Sequence, residues 1–225
     1  MTAVAVVFDC DGVLVDSEPH SIVSWLDVLS GVGHPAGASD VEACAGLGFA
    51  PTYGSLSEIA PLPPPDEVFP ILLAALRRSF SRGLRRFPDT VAVLNACIAV
   101  GFPVAVASSS PRARLELTLE MAGIAGLIGV SVAGDEVVRG KPAPDVYLAA
   151  ARHLGVEPSK CLAVEDTPAG IIAAVAAGMD VVAVHREGSD RSLLEAAGAR
   201  VVSRLTVEDV LGDQGLGRNV PAADR

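Results

Sequence analysis

The sequence predicts an α/β protein: a doubly wound parallel sheet with a helical insertion after its first strand. Short β-branched runs alternate with segments of helical spacing, which is typical of a parallel sheet covered on both faces. One long stretch, in contrast, has no strand pattern. The predicted strands cover residues 3–8, 104–107, 130–132, 162–164 and 181–184.

The stretch without strands covers residues 17–86. Helical spacing is present at 22–29 and 68–80, and the proline-rich segment 60–65 separates the two. The simplest interpretation is a helical insertion that follows the first strand and returns the chain to the sheet near residue 87.

Composition excludes several classes of protein. The 225 residues include 17 basic and 27 acidic side chains, so the net charge is −10, which argues against a protein that coats nucleic acid duplexes. Half the residues are apolar, enough for a folded core. The uncharged segment 90–111 is interrupted by Asn95, Gly101 and Pro103. It therefore predicts a buried helix, a turn and a strand rather than a membrane span.

Cysteine spacing and the N-terminus favour a cytoplasmic protein. The apolar run at the N-terminus has no basic segment before it and ends at Asp9, which is too short for a signal peptide. Four cysteines without CxxC spacing indicate reduced thiols: Cys10, Cys44, Cys97 and Cys161. Residues 213–225 are expected to form a flexible tail, and the oligomeric state is left open.

Two aspartates, Asp9 and Asp11, directly follow the first predicted strand. Their spacing can place both carboxylates on one side of the chain at the carboxyl end of a buried strand. Open α/β sheets bind ligands at this end. Because neighbouring carboxylates disfavour double ionisation, one can be an anionic nucleophile and the other a general acid. Taken alone, such a pair can also be a turn or cap.

Two further segments carry groups suited to a phosphoryl oxygen. Ser108 ends the strand at 104–107, where its hydroxyl and the following N–H groups can bind an anion. Ser110 before Pro111 predicts a helix N-cap. Lys141 stands in a proline-rich turn and is one of only two lysines against fifteen arginines. This scarcity favours a functional lysine over a solvated one.

A second acidic pair, Glu165 and Asp166, ends the strand at 162–164. Acids ahead of a helix can simply interact favourably with its dipole. Together with Asp9, however, they supply the hard oxygen ligands that Mg²⁺ prefers. The following Thr167 and Pro168 predict the start of a helix.

These four segments, each at a strand end and in this order, resemble the haloacid dehalogenase superfamily, specifically its phosphatase and phosphomutase branch around β-phosphoglucomutase. The resemblance extends to about residue 210. It implies a Rossmann-like core of residues 1–16 and 87–212 and a helical cap of residues 17–86, with hinges near 15–17 and 85–88. The implied roles are nucleophile for Asp9, acid and base for Asp11, phosphate ligands for Ser108, Ser109 and Lys141, and Mg²⁺ ligands for Asp9, Asp11 (through its carbonyl), Glu165 and Asp166.

The resemblance further implies a magnesium-dependent phosphatase that hydrolyses a small phosphorylated metabolite through an aspartyl phosphate. A sugar phosphate mutase and a non-catalytic binding protein are the alternatives. Mutases of this branch have a histidine in the first cap helix where this sequence has Ser21, with His20 one position early. They also have basic cap residues where Ala45 and Phe49 stand here. We therefore favour the phosphatase, and the complete set of charged motif residues argues against a mere binding protein.

Three cap residues are nominated as substrate contacts: His20, Gly46 and Arg77. Arg77 lies at the boundary of the apolar face expected for the helix at 68–80, whereas Arg78 and Arg82 fall on its solvated face.

Overall fold

The structure is a computed structural model that describes residues 3–34, 37–44 and 46–212. The expected tail at 213–225 and Ala45 lie outside the described residues. The strands are β1 (Ala5–Phe8), β2 (Val15–Asp16), β3 (Arg85–Arg86), β4 (Val104–Ala107), β5 (Val130–Val132), β6 (Cys161–Glu165), β7 (Asp180–Val184) and β8 (Arg200–Val202). The helices are α1 (Glu18–Gly31), α2 (Ala38–Glu42), α3 (Phe49–Ser57), α4 (Pro65–Phe80), α5 (Pro88–Ala99), α6 (Arg112–Met121), α7 (Asp145–Leu154), α8 (Pro168–Ala176), α9 (Arg191–Ala196) and α10 (Val207–Leu211).

Six strands form one parallel sheet in the order β5-β4-β1-β6-β7-β8. The chain leaves the central strand β1 in one direction through β4 and β5, and later in the other through β6, β7 and β8. This confirms the predicted doubly wound class. The strand order reverses between β1 and β6, so the crevice at their carboxyl ends is the expected ligand position.

Helices cover both faces of the sheet because the central strands are apolar on both sides. In β1, Val6 and Phe8 pack into a core with α5, α6 and α10, whereas Ala5 and Val7 pack into a second core with α7, α8 and α9. All four side chains are fully buried. Burial on both faces explains why these strands are continuous apolar runs rather than alternating ones.

Helices α1 to α4 form the predicted helical segment after β1. Apolar residues of α1 and α4 create a third core, joined by Leu117 of α6. The segment is connected to the sheet by the antiparallel pair β2–β3, where Arg85 Nη2 lies 2.6 Å from Asp16 Oδ2. This pair lies at the expected hinges. The division into two domains stays a prediction.

Several local predictions need correction. Strand β8 was not predicted because its three residues lie at the sheet edge and begin with a charge. Helix α6 begins at Arg112 with Pro111 as its N-cap, so Ser110 is not a cap. Thr167, by contrast, caps α8 as predicted, since its hydroxyl accepts a hydrogen bond from Gly170 N–H at 3.2 Å.

Two further observations concern the helices and the cysteines. In the described ranges, no helix is both long and apolar enough to cross a membrane. The thiols of Cys10, Cys44, Cys97 and Cys161 are free and buried.

Candidate active site

A cavity of about 460 Å³ lies between the carboxyl ends of the central strands and the helical segment. The residues that follow β1, β4, β6 and β7 form its floor, and residues of α1 to α3 and their loops form its roof. Its floor includes Asp9, Asp11, Ser109, Ser110, Lys141, Asp166 and Arg186, and its roof includes Glu18, Ser21, Trp25, Gly46 and Thr52.

Asp9 is held in the cavity floor by Lys141. The Lys141 ammonium donates to Asp9 Oδ1 at 2.5 Å, to Glu165 Oε1 at 2.6 Å and to the Ala107 carbonyl at 3.1 Å. Both acids are buried, and the lysine side chain is only 5% exposed. A buried lysine with these three acceptors is fixed in position, so its charge remains next to the Asp9 carboxylate.

Glu165 is the anchor of this arrangement. Its Oε1 also accepts a hydrogen bond from the Tyr147 hydroxyl at 2.7 Å, and the Tyr147 ring lies 4.9 Å from the Lys141 ammonium. Its Oε2 accepts from Asp166 N–H at 2.9 Å and from both Thr167 donors at 3.2 Å. Because both oxygens already have donors, the contacts favour Glu165 as the support of Lys141. Its role as a metal ligand stays a prediction.

Asp11 is held by hydroxyl groups on two sides. Ser17 donates its hydroxyl to Oδ1, and Ser110 donates to Oδ2 at 3.0 Å. Ser17 is the N-cap residue of α1 but makes no capping hydrogen bond, because its hydroxyl is used on Asp11. Asp11 is therefore oriented at the cavity surface, with its side chain 27% exposed.

A tight turn directly after Asp11 brings Gly12 next to Asp166, which follows β6. Gly12 N–H donates to the Val15 carbonyl at 2.8 Å, and Gly12 has a φ of 80°. A Cβ at this position would lie 1.8 Å from Asp166 Oδ2. Glycine is required here both by the left-handed backbone and by the closeness of the Asp166 carboxylate.

The described residues fit a divalent cation. One oxygen each from Asp9, Glu165 and Asp166 lies within 4.8 Å of the others. Asp166 Oδ1 is buried and has no hydrogen-bond donor. A buried carboxylate oxygen without a donor is costly, and a cation would satisfy it.

Electrostatics at the site agree with this fit. Burial raises the pKa of Asp9 to about 8, although Lys141 opposes the rise. Burial also raises the pKa of Asp166 well above its ordinary value, and the neighbouring Glu165 and Asp9 add to the effect. For Glu165, burial is outweighed by Lys141, which lowers the pKa. Crowded buried carboxylates of this kind are stabilised as anions by an added cation.

The serines after β4 lie at different depths. Ser109 and Ser110 line the cavity. Ser108 is buried, is not among the lining residues, and accepts a hydrogen bond from Ser110 N–H at 3.1 Å. Phosphate binding by Ser108 and Ser109 stays a prediction.

The cap nominations have different outcomes. Gly46 lines the cavity, and a Cβ there would lie 3.4 Å from the Thr167 methyl carbon. His20 and Arg77 are not lining residues. The His20 ring Nδ1 lies 2.8 Å from Ser79 Oγ, and the ring packs on Phe80. Arg77 is exposed, 3.9 Å from Glu120 of α6. Both side chains therefore contact neighbouring helices outside the cavity lining, and substrate contact by His20, Gly46 and Arg77 stays a prediction.

Sequence reasoning missed two buried side chains. Tyr147 supports Glu165 from α7, and Arg114 of α6 lines the cavity beside Asp11. Tyr147 is the polar group on an otherwise apolar face, and a buried tyrosine hydroxyl needs a partner. That rule was a usable signal. Arg114 gave none, because its contacts with Ser21 and Asp11 join segments far apart in the sequence.

Comparison with known proteins places this site in a family. A family model described as haloacid dehalogenase-like hydrolase matches residues 4–178. The chain belongs to the haloacid dehalogenase-like hydrolases. The match covers the residues after β1, β4 and β6 that line the cavity floor, so the recognised resemblance is confirmed.

Two curated relatives have related sequences. The chain is 35% identical over 184 residues to fructose-1-phosphate phosphatase YqaB of Escherichia coli, covering 80% of this chain and 95% of the relative. It is 34% identical over 217 residues to the chloroplastic protein SUPPRESSOR OF QUENCHING 1 of Arabidopsis thaliana. That match covers 92% of this chain but only 20% of the length of the plant protein.

Solved structures of haloacid dehalogenase-like proteins share the fold. A family hydrolase from Deinococcus radiodurans with bound phosphate and sodium has a TM-score of 0.69 and 32% identity, covering 91% of each chain. A β-phosphoglucomutase from Clostridium difficile has a TM-score of 0.76 and 21% identity, covering 90% of this chain and 92% of that one. The second likeness concerns the fold alone. The protein is thus a phosphatase-type hydrolase of this family.

Proposed function

We propose that the protein is a magnesium-dependent phosphatase that hydrolyses a small phosphorylated sugar or polyol in the cytoplasm, through an aspartyl phosphate on Asp9. The observation that carries the proposal is the pair of differently held aspartates at the end of β1. Asp9 is buried against the Lys141 ammonium, whereas Asp11 is oriented by hydroxyl groups at the cavity surface. One is suited to attack phosphorus and the other to transfer protons.

The reaction then has two steps. An Asp9 oxygen attacks phosphorus in line, the bond from phosphorus to the ester oxygen breaks, and Asp11 gives its proton to the departing oxygen. Asp11 next takes a proton from water, whose oxygen attacks the phosphorus and releases phosphate and free Asp9. Lys141 neutralises charge on a phosphoryl oxygen in both steps. One carboxyl group thus serves first as acid and then as base.

Mg²⁺ would be held by Asp9, Asp166 and the Asp11 carbonyl, with Glu165 as a further candidate ligand. When bound, the ion neutralises phosphoryl charge that Lys141 alone cannot balance against the clustered carboxylates. The buried, donor-free Asp166 Oδ1 supports this assignment.

The cavity supports a hydroxyl-rich leaving group. Its volume is about 460 Å³, within the range of small-molecule sites. Besides Asp9, Asp11 and Asp166, four further acids line it: Asp16, Glu18, Glu187 and Asp190. Carboxylates accept hydrogen bonds from sugar hydroxyls and repel a second phosphate. The name of the fructose-1-phosphate phosphatase relative points to the same class of substrate.

Removal of the metal should abolish activity. We expect phosphate release from p-nitrophenyl phosphate to stop in excess EDTA and to return with added Mg²⁺. In Asp166→Asn, the rate of phosphate release should fall at least about 100-fold, because charge neutralisation at the phosphoryl group is lost. The control is Asp27→Asn, an exposed carboxylate on α1. Full activity in chelator would remove the metal from the proposal.

Hydrolysis should dominate over isomerisation. A mutase must hold the second phosphate of its bisphosphate intermediate, and mutases of this branch have basic residues for it where Ala45 and Phe49 stand here. The cavity also presents Ser21 where those mutases have a histidine. With β-glucose 1-phosphate and catalytic glucose 1,6-bisphosphate, we expect mainly free phosphate. A phosphate assay run beside a coupled glucose 6-phosphate dehydrogenase assay measures both products. If glucose 6-phosphate forms about ten times faster than phosphate, the protein is a mutase rather than a phosphatase.

A further inference from the structure

Arg114 connects three parts of the molecule at one point. It belongs to α6, which packs into the core on one face of the sheet, and only 7% of it is exposed. Its Nη2 donates to Ser21 Oγ of α1 at 2.8 Å and lies 3.7 Å from Asp11 Oδ1. A single guanidinium therefore contacts both the helical segment and the carboxylate proposed as acid and base.

A contribution to fold stability does not explain why an arginine is buried at position 114. Its Nε is buried without a hydrogen-bond acceptor, and its distance to Asp11 is that of an ion pair rather than a hydrogen bond. Burying a guanidinium is costly, and apolar residues of similar size often stabilise a protein as well or better. Its presence is better explained by an effect on Asp11.

The other cations in the cavity lining are already engaged. Lys141 is bound to Asp9 and Glu165, and Arg186 is bound to both oxygens of Asp89 at 3.1 and 3.2 Å. Among the described lining residues, Arg114 is thus the cation that faces Asp11. Ser17 and Ser110 bind the same carboxylate as neutral donors.

We propose that Arg114 is a positioning residue that holds the Asp11 carboxylate in its working orientation while α1 is seated over the cavity. The inference rests on the proposed function, because Asp11 must be the acid and base. Loss of Arg114 should mainly impair the steps that need Asp11. With an aryl phosphate, the first step needs little acid assistance because the leaving group is already stable as an anion. The hydrolysis of the aspartyl phosphate still needs a base.

The test is pre-steady-state kinetics of Arg114→Met with p-nitrophenyl phosphate. We expect one p-nitrophenolate per active site to be released rapidly, followed by steady turnover about 30-fold slower than wild type, the size expected for a lost charged contact. The melting temperature should not fall, because methionine fills the site without a buried charge. Arg114→Lys, which keeps the charge, should recover part of the turnover.

Arg112→Met is the matched control on the same helix. Arg112 binds Glu136 and Ser131 and is not a lining residue, so its kcat should stay at the wild-type value. Turnover of Arg114→Met within about threefold of wild type, or a slow first step without a burst, would overturn the inference.

If the Arg114→Met variant does not fold, the same burst is measured on Arg114→Gln. A wild-type protein that fails to hydrolyse phosphate esters, or an Asp11→Asn variant that hydrolyses them normally, would instead overturn the proposed function.

Discussion

Asp9→Asn should have less than about a hundredth of the wild-type kcat, a loss of at least roughly 3 kcal/mol in transition-state stabilisation. The amide is a poor nucleophile for phosphorus, and the substitution also removes a proposed metal ligand. The fold should survive, because Lys141 keeps Glu165 and the Ala107 carbonyl as acceptors. Phosphate release and the melting temperature measure the two effects separately.

The matched control for Asp9→Asn is Asp27→Asn, which removes an exposed carboxylate of the same type and should leave kcat unchanged. A folded Asp9→Asn protein that turns over above a hundredth of the wild-type rate would show that another group attacks phosphorus.

Asp11→Asn should slow both half-reactions, and the loss should depend on the leaving group. An alkyl alkoxide needs a proton as it departs, whereas p-nitrophenolate does not, so the first step should be slowed most for sugar phosphates. We expect losses of about 100-fold or more for an alkyl phosphate, within the usual range for general acid and base catalysis. The measurement is single-turnover kinetics with one alkyl and one aryl phosphate.

The control for Asp11→Asn is Ser110→Ala, which removes one hydroxyl donor from Asp11 and keeps its carboxylate. It should show the same leaving-group dependence with a smaller loss. Equal first-step losses for alkyl and aryl phosphates in Asp11→Asn would exclude Asp11 as the acid.

The sequence predicted the sheet well because its strands are buried on both faces. Runs such as that ending at Phe8 are apolar at every position, so helices must cover both sides, and the acidic or hydroxyl residues that follow mark the strand ends. Since parallel strands end at the same edge, Asp9 and Asp166 are expected to lie together. Lys141 does not directly follow a strand, and only the family resemblance predicted its place in the site.

The roof of the cavity was harder to predict. A helical pattern indicates which face is apolar but not which neighbour receives each polar side chain. His20 therefore binds Ser79 and Arg77 lies near Glu120, both outside the cavity. Arg114 escaped notice for a related reason. The helical pattern of α6 does not indicate that Arg114 lies 3.7 Å from Asp11.

The different hydrogen bonding of the two buried acids after β6 could not be predicted from the sequence. Glu165 and Asp166 are adjacent in the sequence and chemically similar. In the fold, both Glu165 oxygens are bound by donors, whereas Asp166 Oδ1 has none. Glu165 Oε2 is bound by the adjacent Asp166 and Thr167, whereas Oε1 is bound by Tyr147 and Lys141, which lie 18 and 24 residues earlier in the chain. Tertiary contacts of this kind leave no signal in the motif itself.

The central claim is that phosphate is carried covalently by Asp9, and chemical trapping tests it most directly. Enzyme quenched during turnover with Mg²⁺ and substrate is treated with borohydride, which reduces an acyl phosphate to an alcohol, and is then digested for peptide mass spectrometry. The account predicts homoserine at position 9, dependent on substrate and absent from an untreated sample. Turnover in which Asp9 is never reduced, or in which another side chain is reduced instead, would contradict it.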